Sequence, residues 1–329
     1  MGRAVLAQVL LVPCVLATPA AARTLTVGPG QAYEAPSAAS RVAQDGDTVL
    51  IQPGEYFDCA VWDRNNLVIA GAAPGVVITD RTCQGKALFV VVGNSTTIRD
   101  LTLARARVLD GNGAGIRLEG QGLTLDRVQF VNNQVGLLSG GTGAPVRITG
   151  CSFEAGGSGG DRPTYAVLVG EAPLLRIEAS TFAGVKGGQI STGAARTELV
   201  GNRIGSGTGD APGWAVLATG GALSMQDNVV QLGPKPPRLN GAVLATDTGP
   251  VELRGNRLIN ETGEAATLLL DWTGSDWVAE SNQVGRGDTV RSTSGLLRHR
   301  VLAIYQGTKD TLRGFAGQAK RGLRWALGR

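Results

Sequence analysis

An eight-residue phrase returns through most of the chain. It reads TELVGNRI at 197–204, LSMQDNVV at 223–230, VELRGNRL at 251–258 and WVAESNQV at 277–284. Looser copies are LVIAGAAP (67–74), TTIRDLTL (96–103), LTLDRVQF (123–130), VRITGCSF (146–153) and LRIEASTF (175–182). Successive copies begin 22 to 29 residues apart, the spacing of a solenoid repeat. Each alternates apolar and polar residues, as a half-buried strand does. Most are followed by a second short strand rich in Gly, Ala, Val and Leu: GIRLEG at 115–120, GLLSG at 136–140, AVLVGE at 166–171, AVLATG at 215–220 and AVLATD at 242–247. No 3.6-residue pattern accompanies them, which excludes a leucine-rich repeat. A propeller blade would need about four strands per unit.

What remains is an all-β solenoid: a right-handed parallel β-helix of about nine to ten turns, with stacking supplying the core that no single repeat could bury. At about 4.8 Å per turn, nine turns make a rod about 43 Å long. The sixth place of the octet holds Cys151, Ser180, Asn202, Asn228, Asn256 and Asn282. Stacking puts these at one bend. There Asn is expected to accept a left-handed backbone and to cap buried backbone groups with its amide. This column is read as structural, not as a site.

Composition fits a turn-rich chain. Gly contributes 49 of 329 residues, about twice ordinary usage, and aromatic residues only 5%, so the core must be mostly aliphatic. Residues 1–22 carry Arg3, an apolar run and a small-residue end at Ala20–Ala22, the pattern of a secretory signal peptide. The protein is therefore expected to be exported, periplasmic or extracellular. The formal charge of +4 hides an asymmetry: residues 296–329 balance at +7 and residues 23–295 at −4. Nucleic acid is not an expected partner, because the body lacks basic groups interleaved with aromatics. The domain reading is a signal at 1–22, a β-helix at 23–295 and a basic amphipathic tail at 296–329. In that tail Leu312, Phe315, Ala319, Leu323 and Ala326 recur at helical spacing. A C-terminal helix is expected there, either docked on the rod, on an anionic membrane surface, or in self-association. Of the mature cysteines, Cys59 and Cys83 are a candidate disulfide and Cys151 is placed inside.

The octets, together with PSAASRVAQDGDTVLIQPGEYFD at 36–58, resemble the right-handed parallel β-helix repeat proteins of the pectin-lyase-like fold. The resemblance covers nearly all of 24–295, and it implies a short N-terminal capping helix followed by DGDTV and PGEY. CAVWDRNNLVIAG, TCQGKALFV and RARVLDGNGAGIRLEG are similar to a bacterial exported subfamily whose activity is generally unassigned. Members of that subfamily tend to carry a His before the YVG-type strand and a GH…KSRA stretch one turn later. Here those segments read TYAVLVG (164–170) and GGQISTGAA (187–195), without that cluster. The fold serves many chemistries, so function must come from a site.

Two regions carry candidate sites. Along 105–120, Asp110, Asn112, Arg117 and Glu119 are expected to point outward, where they would contact sugar hydroxyls or carboxylates. The alternative is a tight turn feeding a strand. The inter-strand loops VLDGNGAG, EAGGSGGDRPTY, GSGTGDAPGW and VQLGPKPPRLNG should leave one edge of successive turns and line a groove along the rod. They offer Asp161, Asp210 and Lys235 for catalysis, Arg162 and Arg238 for carboxylates, and Tyr165 and Trp214 for sugar stacking. Asp161 and Asp210, two turns apart, would stand about 9.6 Å apart, a spacing compatible with inverting hydrolysis. A β-eliminating lyase would use Lys235 or Arg238 instead. The only His is His299, so neither a His-based metal site nor a Ser–His pair is expected in the rod. No cofactor is expected, and calcium would enter only with lyase chemistry. A row of Leu138, Leu168, Leu217, Leu244 and Leu269 is expected to face outward. The leading function is binding or processing of an acidic polysaccharide. The alternative is a non-catalytic envelope scaffold or adhesion protein.

Overall fold

The computed structural model describes residues 22–157, 164–207, 213–235, 237–247 and 249–293. Among these, the chain coils into three parallel sheets of 11, 9 and 10 strands. The last full turn shows the unit. Val251–Arg254 lies in the first sheet, Arg257–Asn260 in the second and Thr267–Asp271 in the third, before Trp277–Glu280 rejoins the first. Each turn thus has three strands, where the sequence suggested two. The octet is itself two strands, because the chain bends between its fourth and seventh residues.

The repeat frame gives the register. Thr96, Leu123, Val146, Leu175, Thr197, Leu223, Val251 and Trp277, each first in its octet, pair in succession across the first sheet. Right-handed winding follows from the parallel crossovers. Octet places one, three and eight face the interior, so the two-residue period of each strand points one side chain set inward. Place eight supplies Phe130, Phe153 and Phe182, which stack at 4.5 and 4.7 Å with nearly parallel rings. Glycines make room for them. A Cβ at Gly115 would meet Phe130 at 2.8 Å, and one at Gly136 would meet Phe153 at 2.7 Å.

The expected ladder at the bend forms, with one correction. The amide N–H of Asn202 donates to Asn228 Oδ1 (2.9 Å), that of Asn228 to Asn256 Oδ1 (3.1 Å) and that of Asn256 to Asn282 Oδ1 (3.0 Å). Each side-chain amide of Asn202, Asn228, Asn256 and Asn282 also donates to a carbonyl one turn back. The left-handed residue, however, is the one before: Gly150, Ala179, Gly201, Asp227, Gly255 and Ser281 all have φ between 46° and 64°. The fifth place makes the bend and the sixth satisfies the groups it frees.

A second ladder, not anticipated from the sequence, runs along the corner between the third and first sheets. Asp45 Oδ1 accepts from Asn65 N, Asn65 Oδ1 from Asn94 N, and Asn94 Oδ1 from Gln121 N, each at 2.9 Å. The helix Pro36–Ser40 buries Pro36, Ala39 and Ser40 and packs beside Thr24–Val27 and Ala60–Trp62. Cys59 and Cys83 are joined, with 5.4 Å between their Cα atoms, and Cys151 is a buried free thiol.

The leucine row needs correcting. Leu244 pairs with Leu270, and Val243 with Leu269, so Leu269 faces the core and is fully buried. The outward row reads Arg117, Leu138, Leu168, Ser191, Leu217, Leu244 and Leu270. Leu138, Leu244 and Leu270 are buried and the other two leucines half-buried, so no open apolar stripe results. Near its start the row continues through Val90 and Val61, which cluster with Ala87, Ala114, Val135, Leu138, Leu168 and Cys83.

Candidate functional site

Among the described residues, the connections between the second and third sheets leave one edge of the coil at 105–113, 233–235 and 237–240, while 158–163 and 208–212 lie outside the described residues. A trough of about 500 Å³ opens on the second-sheet side of that edge. Its floor is the outer face of three neighbouring strands, Thr181–Ala183, Arg203–Gly205 and Val229–Leu232, and its far wall is Gly233, Pro234 and Lys235. Alternation along each strand decides what the floor presents: Thr181, Arg203 and Gln231 face outward while Phe182 and Ile204 face the core.

These side chains are tied across turns. Arg203 Nη2 donates to Gln231 Oε1 at 3.2 Å, and Gln231 Nε2 donates to Glu261 Oε1 at 2.8 Å. Ser206, buried beneath the wall, accepts from Gly233 N at 2.9 Å and anchors it. Gly207 is required by crowding, since a Cβ there would lie 1.8 Å from the Gly187 carbonyl. The trough therefore combines a small, glycine-rich floor, amide and hydroxyl groups, two cations at Arg203 and Lys235, and one carboxylate at Glu261. Such a surface can stack on a sugar ring, bond its hydroxyls and attract an anionic substituent.

The sequence candidates divide. Lys235 lines the trough. Arg238 begins the 3-10 turn Arg238–Asn240, and its side chain lies outside the described set. Asp161, Arg162 and Asp210 also lie outside the described residues. Trp214 does not line the trough; it is half-buried against Gly241, where a Cβ would meet its ring at 3.3 Å. Tyr165 is buried over Gly188, and burial pushes its hydroxyl up to about 12.

Asp110 and Asn112 are exposed on the loop 105–113, with fully exposed Leu109 beside them. Gln134 braces that loop by accepting from Val108 N and Gly113 N and donating to Val108 O. Arg117 and Glu119 do not converge with them in one site. Arg117 stands on the third sheet and Glu119 just past its strand, where Glu119 is ion-paired to Lys86 at 2.6 Å. The tight-turn reading describes this stretch better.

The groups held furthest from their ordinary pKa values lie elsewhere and are structural. Hydrogen bonds from Arg23 hold Asp47 at about 2. Those from Arg105 lower Asp80, and those from Arg127 lower Asp100. Burial pushes Cys151 up to about 12. Among the described residues, no group of three His, Cys, Asp or Glu is placed to hold a metal ion.

Thr181, Arg203, Gln231 and Glu261 went unnoticed in the sequence. Thr181 and Arg203 had a signal: both occupy the seventh place of the octet, the first outward place after the bend. The column reads Thr102, Gln129, Ser152, Thr181, Arg203, Val229 and Arg257, a row of mainly hydrogen-bonding side chains.

No protein-family model and no curated protein matches the chain. Solved structures with a similar coil include three pectin methylesterases. That of rice weevil is 12% identical over 59% of this chain and 72% of its own, with a TM-score of 0.42. PemA of Erwinia chrysanthemi is 11% identical over 86% and 95%, with a TM-score of 0.45. The enzyme from carrot is 13% identical over 84% and 90%, with a TM-score of 0.43.

Proposed function

We propose that this β-helix is an exported protein that binds an acidic polysaccharide in the trough on its second sheet. The observation that carries the reading is the pairing of Arg203 and Lys235 above a glycine-rich, hydroxyl- and amide-bearing floor that runs along the rod. A neutral sugar would need the floor alone; the two cations add attraction for a carboxylate, sulfate or phosphate substituent. Catalysis is the finer form of the reading. Asp161 and Asp210 would act as an inverting pair, or Lys235 as the base of a β-elimination, with calcium entering only in the second case.

The test uses the chain without residues 1–22 on acidic and neutral polysaccharides, with calcium and with chelator. Binding, new reducing ends and unsaturated products are followed together. Acidic polymers are expected to bind, neutral ones weakly or not at all, and Arg203→Ala to weaken binding about tenfold, the loss of about 1.4 kcal/mol. The affinity should fall as salt rises. Products abolished by Asp161→Ala or Lys235→Ala would add the enzymatic step. Absence of binding to every acidic polymer overturns the proposal.

A further inference from the structure

A second hollow of about 550 Å³ opens on the same face, four turns nearer the N-terminus. It lies between the 71–76 loop and the side chains of Arg99, Asp100, Thr102, Arg127 and Gln129. Its cations are already neutralised. Arg127 donates to Asp100 at 2.7 Å and pairs with Asp126 at 2.6 Å, while Arg99 donates to Asp100 at 2.7 Å. This hollow offers hydrogen bonds without net charge.

One row joins the two sites. Thr102, Gln129, Ser152, Thr181 and Arg203 are neighbours across successive strands, in register. Thr102 and Gln129 line the hollow, Thr181 and Arg203 line the trough, and Ser152 lies between. Beside it runs a second outward row: Val131, Glu154, Ala183, Gly205 and Gln231. A row of hydrogen-bonding side chains next to a row of mostly small or apolar ones matches a sugar ring, which has a polar rim and apolar faces. The four strand spacings from Thr102 to Arg203 span about 19 Å.

The charge along this track is not uniform. It is neutralised at the hollow, negative at exposed Glu154, and positive at Arg203 two strands further on. Resting on the polysaccharide reading above, we infer that the ligand is an unbranched heteropolysaccharide lying along both sites, in which the unit two places from each acidic one is neutral. An extended pyranose chain advances by close to one strand spacing per unit. The unit over Arg203 then carries the anion, and the unit two strands back, beside Glu154, must be neutral. A homopolyuronate, or a strictly alternating one, places a carboxylate against Glu154.

The test measures affinity at low ionic strength for two oligosaccharide series of three to eight units. One is a homopolyuronate; the other carries one uronic acid per four units. The sparse series should gain affinity up to five or six units and then level. Gln129→Ala should weaken its long members and leave its trimers unchanged. Glu154→Gln should raise homopolyuronate affinity three- to fivefold, as expected for removing one repulsive pair near the surface, and should leave the sparse series unchanged. Both changes are on exposed side chains, and an unchanged melting profile confirms folding. If both series bind equally and level at three units, and Glu154→Gln changes neither, the track is wrong while the trough stands, provided Arg203→Ala still weakens binding. If neither series binds, both ideas fall.

Discussion

Asn228 does several tasks with one side chain. Its Oδ1 accepts from the backbone and side-chain nitrogens of Asn202 at 2.9 and 3.0 Å, and its Nδ2 donates to Leu199 O at 2.8 Å. All of this is buried, so Asn228→Ala leaves a backbone N–H and a carbonyl without partners. At about 1–3 kcal/mol for each of the two abandoned groups, the expected loss is about 2–6 kcal/mol by urea unfolding. Asn228→Ser should cost less than half of that. Ser180 already holds this place two turns earlier, accepting from Cys151 N at 3.1 Å and donating to Glu178 O at 2.8 Å. Equal losses for the two variants would show that acceptance by the side-chain oxygen is not what matters. The column of Asn was visible in the sequence because one residue type repeats at a fixed place. Which residue takes the left-handed backbone was not, because the fifth place varies among Gly, Ala, Asp and Ser and so gives no repeated letter. The seventh column was missed for a related reason: it conserves a capacity for hydrogen bonding, not an identity.

At the scale of elements, the first turn depends on Asp47, the second aspartate of DGDTV. Its carboxylate accepts from Arg23 N at 3.0 Å, from the Arg23 guanidinium at 2.5 Å and from Gln44 N at 2.8 Å. It thereby joins the strand Thr24–Val27, the turn after the short helix and the strand Thr48–Ile51. These bonds hold its pKa at about 2, below the usual value near 4. A depressed carboxylate contributes stability that is present above the unfolded pKa and lost as pH falls through the folded one. Wild type should therefore lose stability between about pH 4 and pH 2 relative to Asp47→Asn, and the two melting curves should converge near pH 2. A gap between them that stays constant from pH 7 to pH 2 would mean that Asp47 acts by shape and not by charge. Strand number was harder to read than such local chemistry. A bend of two residues, with apolar places on both sides, keeps the alternation that marks one strand. The misplacement of Leu269 has the same origin, since a one-residue shift after a loop of variable length reverses which side chains face the core.

The whole molecule is a stack in which each turn touches only its neighbours, so a defect should stay local. The trough and the row of seventh-place side chains are products of that stacking: they bring together residues 20 to 30 apart in sequence, and no isolated repeat contains either. This sets the limit on what the sequence could show. The repeat reveals the coil, but a site made of one side chain per turn emerges only when register is known. Asn228→Ala tests the stacking logic directly. Its direct partners lie in the turns of Asn202 and Asn256. Hydrogen exchange should therefore accelerate across the turns from about residue 197 to 282. The turns from 60 to 140 should keep their protection, held by the Cys59–Cys83 bond and by Phe130 stacked on Phe153. A uniform loss along the described chain would instead mean that the rod unfolds as one cooperative unit, and that the sites on its face rise and fall with its global stability.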